Sequence, residues 1–155
     1  MANRERMNGV SWAVILSTVA DSATLEKAEA ALAASFSTHD TVPPQICMQM
    51  SIAVGELVAN VVEHGTQGRL NVAIEVRMSI ERDRVLVAII DDGNETPTDL
   101  ITVATMPDDL AERGRGLPMT QSVLESLTYE RLPVANLWLL TSKRFTAAGV
   151  AVDLY

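Results

Sequence analysis

The chain has 155 residues, of which 48% are hydrophobic, so it can bury one sizeable core and is not expected to be disordered. Its 20 acidic and 12 basic residues give a formal net charge of -8. This balance argues against a nucleic-acid groove, because such grooves take their affinity from clustered Lys and Arg. It does not exclude a small polyanion, which backbone N–H groups, a metal ion and one or two basic side chains are sufficient to hold.

The chain opens with a predicted strand and helix. Residues 10–17 are rich in apolar, β-branched and aromatic side chains, which indicates a strand. Asp21 or Ser22 is a suitable N-cap for a helix that continues to about Thr38, because apolar residues recur at helical spacing between them.

A second helix is predicted from Pro44, which fits the first helical turn, to a stop at Gly65. Glu56, Asn60 and His64 stand at i, i+4 and i+8, in one stripe along an otherwise apolar helix. Polar groups on such a helix require partners unless they form its solvent face. From the helix alone, both interpretations stay open.

The second half of the chain is predicted to consist of strands joined by loops. Residues 70–80 alternate between apolar and polar side chains, residues 81–83 form a hairpin turn, and residues 85–90 return as a denser apolar strand. Residues 94–115 form a long polar stretch with one helical turn at residues 107–112. Loops of this length in a compact domain are usually functional.

A helix at residues 117–127 and a hairpin of residues 127–131 and 137–143 are predicted next, and residues 150–155 form either a last strand or a docked tail. This order of elements predicts an α+β fold, a two-layer α/β sandwich in which helices cover one face of a mixed, mostly antiparallel sheet. No linker or repeat divides residues 1–155, so a single domain is expected.

The single cysteine, Cys47, cannot form an internal disulfide and has no Cys or His at ligand spacing, so an inert packing residue and a cytoplasmic location are expected. Arg4 and Arg6 before residues 10–19 loosely imitate a signal peptide, but polar residues interrupt the apolar stretch and a strand explains it. No run approaches the ~18 apolar residues of a membrane helix, so no membrane association is expected.

Two further segments could bind a ligand. Asp91-Asp92-Gly93 ends an apolar strand, where a carboxylate beside a glycine can accept a hydrogen bond from a ring that lies close to the backbone. An ordinary turn explains the same residues. The second segment, residues 113–119, reads Arg-Gly-Arg-Gly-Leu-Pro-Met and precedes a helix, so its N–H groups and arginines suit an anion. A plain loop is an equally good explanation.

Together the three motifs resemble those of the GHKL ATPase superfamily, also called the Bergerat fold. Within it they resemble the anti-sigma factor serine/threonine kinases, which consist of a histidine kinase-like ATPase domain alone. Residues 56–65 resemble the family's N box, Glu-x-x-x-Asn followed by His-Gly. Residues 91–93 match the Asp-x-Gly that opens the next box. Residues 114–117 match a further box of the family, Gly-x-Gly-Leu, which begins the helix under the phosphates. The resemblance covers roughly residues 10–145.

The resemblance implies a role for each matching residue. Asn60 would hold Mg²⁺ on the phosphates of ATP, and Glu56 would be the general base. Asp91 would accept a hydrogen bond from the adenine amino group, and Gly93 would let the ring lie close. His64 would line the nucleotide edge or support the lid, unless it only caps the helix end. The residues that would cover the phosphates in the ATP lid are Gly114, Arg115, Gly116 and Leu117.

Two departures from the family pattern are visible. Glu95 stands where a small residue is expected after Asp-x-Gly, which leaves the start of the lid uncertain. Residues 136–139, Asn-Leu-Trp-Leu, resemble the family's final hairpin but lack its usual Gly and clear Thr, so no adenine contact is assigned there. Arg113 suits either a phosphate ligand or a solvated charge.

The resemblance implies an ATP-dependent protein kinase. It would phosphorylate a STAS-type anti-sigma factor antagonist and sequester a sigma factor or similar regulator; homodimerisation is left open. No helix with a phosphoacceptor histidine precedes the domain, so autophosphorylation on histidine is not expected. The alternatives are a nucleotide-gated partner-switching module with little or no phosphotransfer, and a stand-alone ATP hydrolase or topoisomerase-like fragment. Glu56 favours the kinase, whereas Glu95 and the altered hairpin favour the module.

Overall fold

The computed structural model describes residues 7–96 and 116–146, with the backbone alone at residues 116–119. The predicted helical turn at residues 107–112, Arg113 and the C-terminal residues 150–155 lie outside this part. The elements in chain order are β1 (Ala13–Val19), α1 (Thr24–Ser37), α2 (Pro44–Asn60), a π-helical turn (Val61–Gly65), β2 (Ala73–Ile80), β3 (Val85–Asp91), α3 (Gly116–Val123), β4 (Leu124–Arg131) and β5 (Asn136–Ser142).

The five described strands form one sheet in the order β1-β2-β3-β5-β4. Every neighbouring pair among them is antiparallel, so the expected mixed sheet is corrected to an antiparallel one in this part of the chain. The α+β class is confirmed, and α2 lies between α1 and α3.

The main core fills the space between α2 and one face of the sheet. The residues of β2 alternate as predicted, so that Ile74, Val76 and Met78 are buried against the helices. The largest contributions to the stability of this core come from side chains that are almost fully buried, each of which contributes about 1.5–3 kcal/mol of transfer free energy. These include Leu32, Ile46, Met50, Leu57, Ile89, Trp138 and Leu140.

A smaller cluster on the opposite face of the sheet explains why β1 begins later than predicted. Residues 10–17 were expected to form the strand, but β1 spans Ala13–Val19. Met7 and Trp12 instead pack against Leu137 and its neighbours on that face. The Trp12 indole N–H donates to the Met7 carbonyl oxygen at 3.0 Å, which holds the preceding segment over the sheet.

Two predicted helix boundaries are wrong. The N-cap of α1 is Ala23, because the Asp21 side chain accepts the Ala23 N–H at 2.8 Å and closes a turn before the helix. The helix predicted for residues 117–127 begins at Gly116 and ends at Val123. Pairing with β5 converts the residues from Leu124 onward to a strand, so long-range contacts override the local helical spacing.

The central helix with its π turn, Pro44–Gly65, has 22 residues and contains an 18-residue window of mean hydropathy 1.4, which meets the length and composition of a membrane span. The expectation that no run approaches this length is therefore wrong. In this fold it is the core helix, with Ala53, Leu57 and Val58 fully buried. Cys47 on the same helix is half-buried and packs against the core, and burial raises the pKa of its thiol.

Candidate functional site

The site is built where the end of β3 meets the π turn that follows α2. At this point two glycines bring two backbone segments together. The Asn94 N–H donates to the Gly65 carbonyl oxygen at 2.9 Å, and the Asn94 side chain donates to the carbonyl oxygens of His64 at 3.2 Å and Gln67 at 2.8 Å. A Cβ placed on Gly93 would lie 2.5 Å from the Gly65 carbonyl oxygen. The predicted N box and Asp-x-Gly motif are therefore in direct contact.

Gly93→Ala is expected to destabilise the fold by about 1–3 kcal/mol, the usual range for overpacking, because the new Cβ meets a backbone oxygen that cannot move aside cheaply. Gly55→Ala is the matched control. A Cβ at Gly55 has only an ordinary 3.7 Å contact with Leu25, and replacing a helical glycine stabilises by up to ~1 kcal/mol. Urea unfolding of both variants measures the difference; equal midpoints would contradict the close contact.

The π turn changes the predicted stripe on α2. Glu56 and Asn60 keep their i, i+4 relation within the α-helix, and both are half-buried. His64 lies in the π turn, where the helix is wider. The predicted stripe of Glu56, Asn60 and His64 therefore ends at Asn60 and does not include His64. Its ring Nε2 lies 3.8 Å from a Glu63 carboxylate oxygen and its carbonyl oxygen accepts from Asn94. The structure thus supports a helix-end role for His64, and its place at a nucleotide edge stays a prediction.

Asp91 is the most constrained acidic residue of the site. It ends β3 and is only 2% exposed. Its Oδ1 accepts the Gly93 N–H at 2.9 Å and the Asn136 side-chain N–H at 2.9 Å. Its Oδ2 is buried and has no hydrogen-bond partner among the described residues. A buried acceptor without a partner is unfavourable unless a ligand supplies the donor. Asp91 can therefore receive one hydrogen bond from a bound group.

Burial raises the pKa of Asp91, although hydrogen bonds from Asn136 and Gly93 act in the opposite direction. The negative charge of Asp92 raises this pKa further, and the charge of Arg131 lowers it. Since the folded-state pKa is raised, the stabilising contribution is complete below the ordinary carboxyl pKa and is lost as pH rises through the folded value. Ionisation of Asp91 in the folded protein therefore has a free-energy cost, as is common for residues at binding sites.

Asp92 has a different environment from Asp91. It is exposed, its Oδ1 accepts the Ala73 N–H at 2.8 Å, and its own N–H donates to the Ala73 carbonyl oxygen at 3.2 Å. These two bonds close the end of the β2–β3 ladder. Asp92 is thus a structural residue of the motif.

The prediction missed a second set of polar side chains around Asp91. Asp91, Asn136 and Arg131 face one another across β3, β5 and β4. The Asn136 Oδ1 accepts from the Tyr129 hydroxyl at 2.5 Å and from the Arg131 guanidinium at 3.1 Å. Arg131 also donates to the Gly93 carbonyl oxygen at 3.0 Å. The signal that could have found them is cross-strand pairing, because Arg131 ends one predicted strand of the last hairpin and Asn136 immediately precedes the other.

The predicted phosphate-binding residues are only partly described. Gly114 and Arg115 lie outside the described residues, and Gly116 and Leu117 form the first turn of α3, one residue before the predicted helix start. In the described ranges, 7–96 and 116–146, no group of three or more His, Cys, Asp or Glu side chains could hold a metal. A Mg²⁺ ion would thus depend on few protein ligands and on phosphates, and the Asn60 amide oxygen suits it.

Comparisons with known proteins place this arrangement in a family. The family model for the histidine kinase-like ATPase domain matches residues 18–140. Two crystal forms of the catalytic domain of the histidine kinase ThkA have a similar fold, with TM-scores of 0.51 and 0.50 and sequence identities of 17% and 16%. Each covers 66% of this chain, which in turn covers 69% and 70% of theirs. A search of curated proteins finds no match.

Two of the three motif-bearing segments meet in the described part of the chain, and the third motif ends in α3. The helix with Glu56 and Asn60 leads into the π turn that meets the strand end carrying Asp91, and α3 begins at Gly116. The match to the family model spans most of the chain and includes all of these residues. The chain therefore belongs to the histidine kinase-like ATPase (GHKL) family and contains an ATP-binding domain of that kind.

Proposed function

We propose that this chain is an ATP-dependent protein serine/threonine kinase that acts as an anti-sigma factor. It would act in the cytoplasm, phosphorylating a STAS-type antagonist and sequestering a sigma factor or similar regulator. The observation that carries the catalytic part is Glu56. Its carboxylate is half-buried and makes no ion pair or hydrogen bond with any described residue, although it lies four residues before Asn60 on the same helix. A carboxylate without a partner remains available to accept a proton.

In the proposed reaction, Glu56 takes the proton of a serine or threonine hydroxyl on the antagonist. The hydroxyl oxygen forms a bond to the γ-phosphorus as the bond to the β–γ bridging oxygen breaks, and ADP is the leaving group. Mg²⁺, when bound, would neutralise charge on the phosphates. Asn60 would hold that ion, and Asp91 would orient the adenine ring through its free Oδ2. The products are the phosphorylated antagonist and ADP, with the transferred proton on Glu56.

The surface beside Glu56 favours a protein as phosphate acceptor. Met48 and Ile52 precede Glu56 at intervals of four residues on α2, so the three share one side of the helix. Their side chains are 58% and 38% exposed, although both are large and apolar. A partner that brings a hydroxyl to Glu56 must approach this side of the helix and would cover them.

The second candidate is a nucleotide-gated partner-switching module with little or no phosphotransfer. The observation that favours it is the set of bonds from Asn94 to Gly65, His64 and Gln67, which connects the segment after β3 to the end of the N box. Such a connection would transmit nucleotide binding to the surface without chemistry. Glu95 is exposed beside this connection and makes no described ion pair.

The experiment that tests the proposed function is a pull-down with the full chain in ATP or ADP, followed by phosphosite mapping on the captured protein. The kinase predicts a phosphoserine or phosphothreonine on a small captured partner that appears only with Mg²⁺ and ATP. Nucleotide-dependent capture of a partner that is never phosphorylated would contradict the kinase and support the module.

Asn60→Ala is expected to weaken binding of Mg²⁺-ATP by roughly tenfold or more, because it removes an oxygen from the metal's ligand shell. Binding of ATP in EDTA should change much less. Gln45→Ala, an exposed amide on the same helix, is the matched control. Calorimetric titration measures all of these affinities, and an unchanged Mg²⁺-ATP affinity in Asn60→Ala would exclude the assigned metal position.

A further inference from the structure

A continuous chain of hydrogen bonds connects Asp91 to the segment that follows β3. The Thr96 N–H donates to the Tyr129 hydroxyl oxygen at 3.0 Å, and this hydroxyl donates to the Asn136 Oδ1 at 2.5 Å. The Asn136 Nδ2 then donates to the Asp91 Oδ1 at 2.9 Å. Thr96 is the last described residue before residues 97–115. These hydrogen bonds therefore join the proposed base-binding carboxylate to residues 94–96, the described segment that follows β3.

The orientation of the Asn136 amide is determined by its partners. Its nitrogen donates to the carboxylate of Asp91 and to the Asn94 carbonyl oxygen, both at 2.9 Å. Its oxygen accepts from Tyr129 and Arg131, which are both donors. A flipped amide would set donor against donor and acceptor against acceptor. Asn136 is 1% exposed, so water cannot replace these partners.

The same constraint determines which oxygen of Asp91 is free. Because the Asn136 amide always presents a donor, the Asp91 Oδ1 is held by two N–H groups, those of Asn136 and Gly93. Only Oδ2 remains for a ligand within the described part of the chain. A rigid, buried acceptor selects a ligand that has a donor at that point, since a ligand with an acceptor there leaves buried polar groups unpaired.

We propose that Asn136 and Tyr129 are positioning residues that set the base selectivity of the nucleotide site and connect base binding to residues 94–96. This inference rests on the proposed role of Asp91 in binding adenine. Asn136 thereby gives the last hairpin a role in the site through its hydrogen bond to Asp91. Arg131 supports the amide from the same side as Tyr129.

The test compares ATP with inosine triphosphate (ITP), in which a carbonyl oxygen replaces the adenine amino group. Calorimetry gives the ratio of the two affinities for the full chain and for Tyr129→Phe. This variant removes only the hydroxyl and keeps the ring packed against Trp138, with ring centroids 4.6 Å apart. In Tyr129→Phe, the ratio of ATP affinity to ITP affinity should be about five- to tenfold lower than in the wild type, on the scale of one lost hydrogen bond to a polar network. Exchange of the Thr96 amide hydrogen should also accelerate.

The matched control is Thr141→Val, which removes a buried hydroxyl from the other end of β5 and should leave the affinity ratio unchanged. Asn136→Ala is a second variant, expected to reduce the ratio further than Tyr129→Phe. If both variants keep the wild-type ratio while thermal unfolding shows them folded, the two residues are merely structural and the inference is overturned. If the wild type itself does not distinguish ATP from ITP, the assignment of Asp91 in the proposed function fails first.

Discussion

Asp91→Asn is expected to weaken ATP binding roughly 100-fold, equivalent to about 2.7 kcal/mol. The new amide oxygen must take the place of Oδ1, because that position accepts the N–H groups of Gly93 and Asn136. The amide nitrogen then replaces Oδ2 and turns a donor toward the base. A donor facing the adenine amino group is repulsive, but it matches the carbonyl oxygen of ITP. The variant should therefore prefer ITP to ATP.

The same substitution should not destabilise the fold at neutral pH. Burial raises the pKa of Asp91, so the ionised carboxylate lowers stability above the folded-state pKa. A neutral amide removes this cost, and the variant should unfold at an equal or higher temperature than wild type at pH 7. Toward acidic pH the difference should shrink, because protonation then neutralises the wild-type carboxylate.

The control for Asp91→Asn is Asp92→Asn, which changes the charge equally but alters an exposed side chain bonded to the Ala73 N–H. Calorimetry with ATP and ITP and thermal unfolding across pH measure both effects. An unchanged preference for ATP in Asp91→Asn, or the same change in Asp92→Asn, would mean that the Asp91 carboxylate does not contact the base.

Glu56→Gln is expected to reduce phosphoryl transfer to the captured partner by about 10²–10⁴-fold, the usual contribution of a general base. The amide keeps the size of the side chain but cannot accept the hydroxyl proton. Because Glu56 bonds to no described residue, ATP affinity and stability should change little. The measurement is the single-turnover rate of partner phosphorylation with saturating Mg²⁺ and ATP.

The control for Glu56→Gln is Glu63→Gln, an exposed carboxylate on the π turn that should leave the rate unchanged. Transfer that persists at the wild-type rate in Glu56→Gln would remove Glu56 from the reaction. No transfer in the wild type, combined with nucleotide-dependent capture of the partner, would favour the partner-switching module.

The local pattern was sufficient to predict elements whose burial repeats along the chain. The alternation in β2 and the wide apolar arc of α2 both follow from single contiguous segments. The end of α3 could not be predicted in this way. Residues from Leu124 onward keep a helical spacing, and only pairing with β5 determines that they form a strand. The π turn likewise contacts a distant segment, because the Gly65 carbonyl oxygen accepts the Asn94 N–H.

The residues of the candidate site also differ in whether a local pattern identifies them. Glu56, Asn60, Asp91 and Gly93 belong to short motifs, so sequence was sufficient to name them. Asn136 was missed because its role depends on register, which places it opposite Asp91, 45 residues earlier in the chain. A local sequence pattern carries no information about a pairing between residues so far apart in the chain.

Titration of the full wild-type chain with ATP and ITP in the presence of Mg²⁺ tests most directly whether Asp91 binds the adenine base. A free, buried Oδ2 that accepts from the base predicts that ATP binds and that ITP binds about 100-fold more weakly. Equal affinities for the two nucleotides would show that Asp91 does not select the base, and a chain that binds neither would contradict a nucleotide site at Asp91.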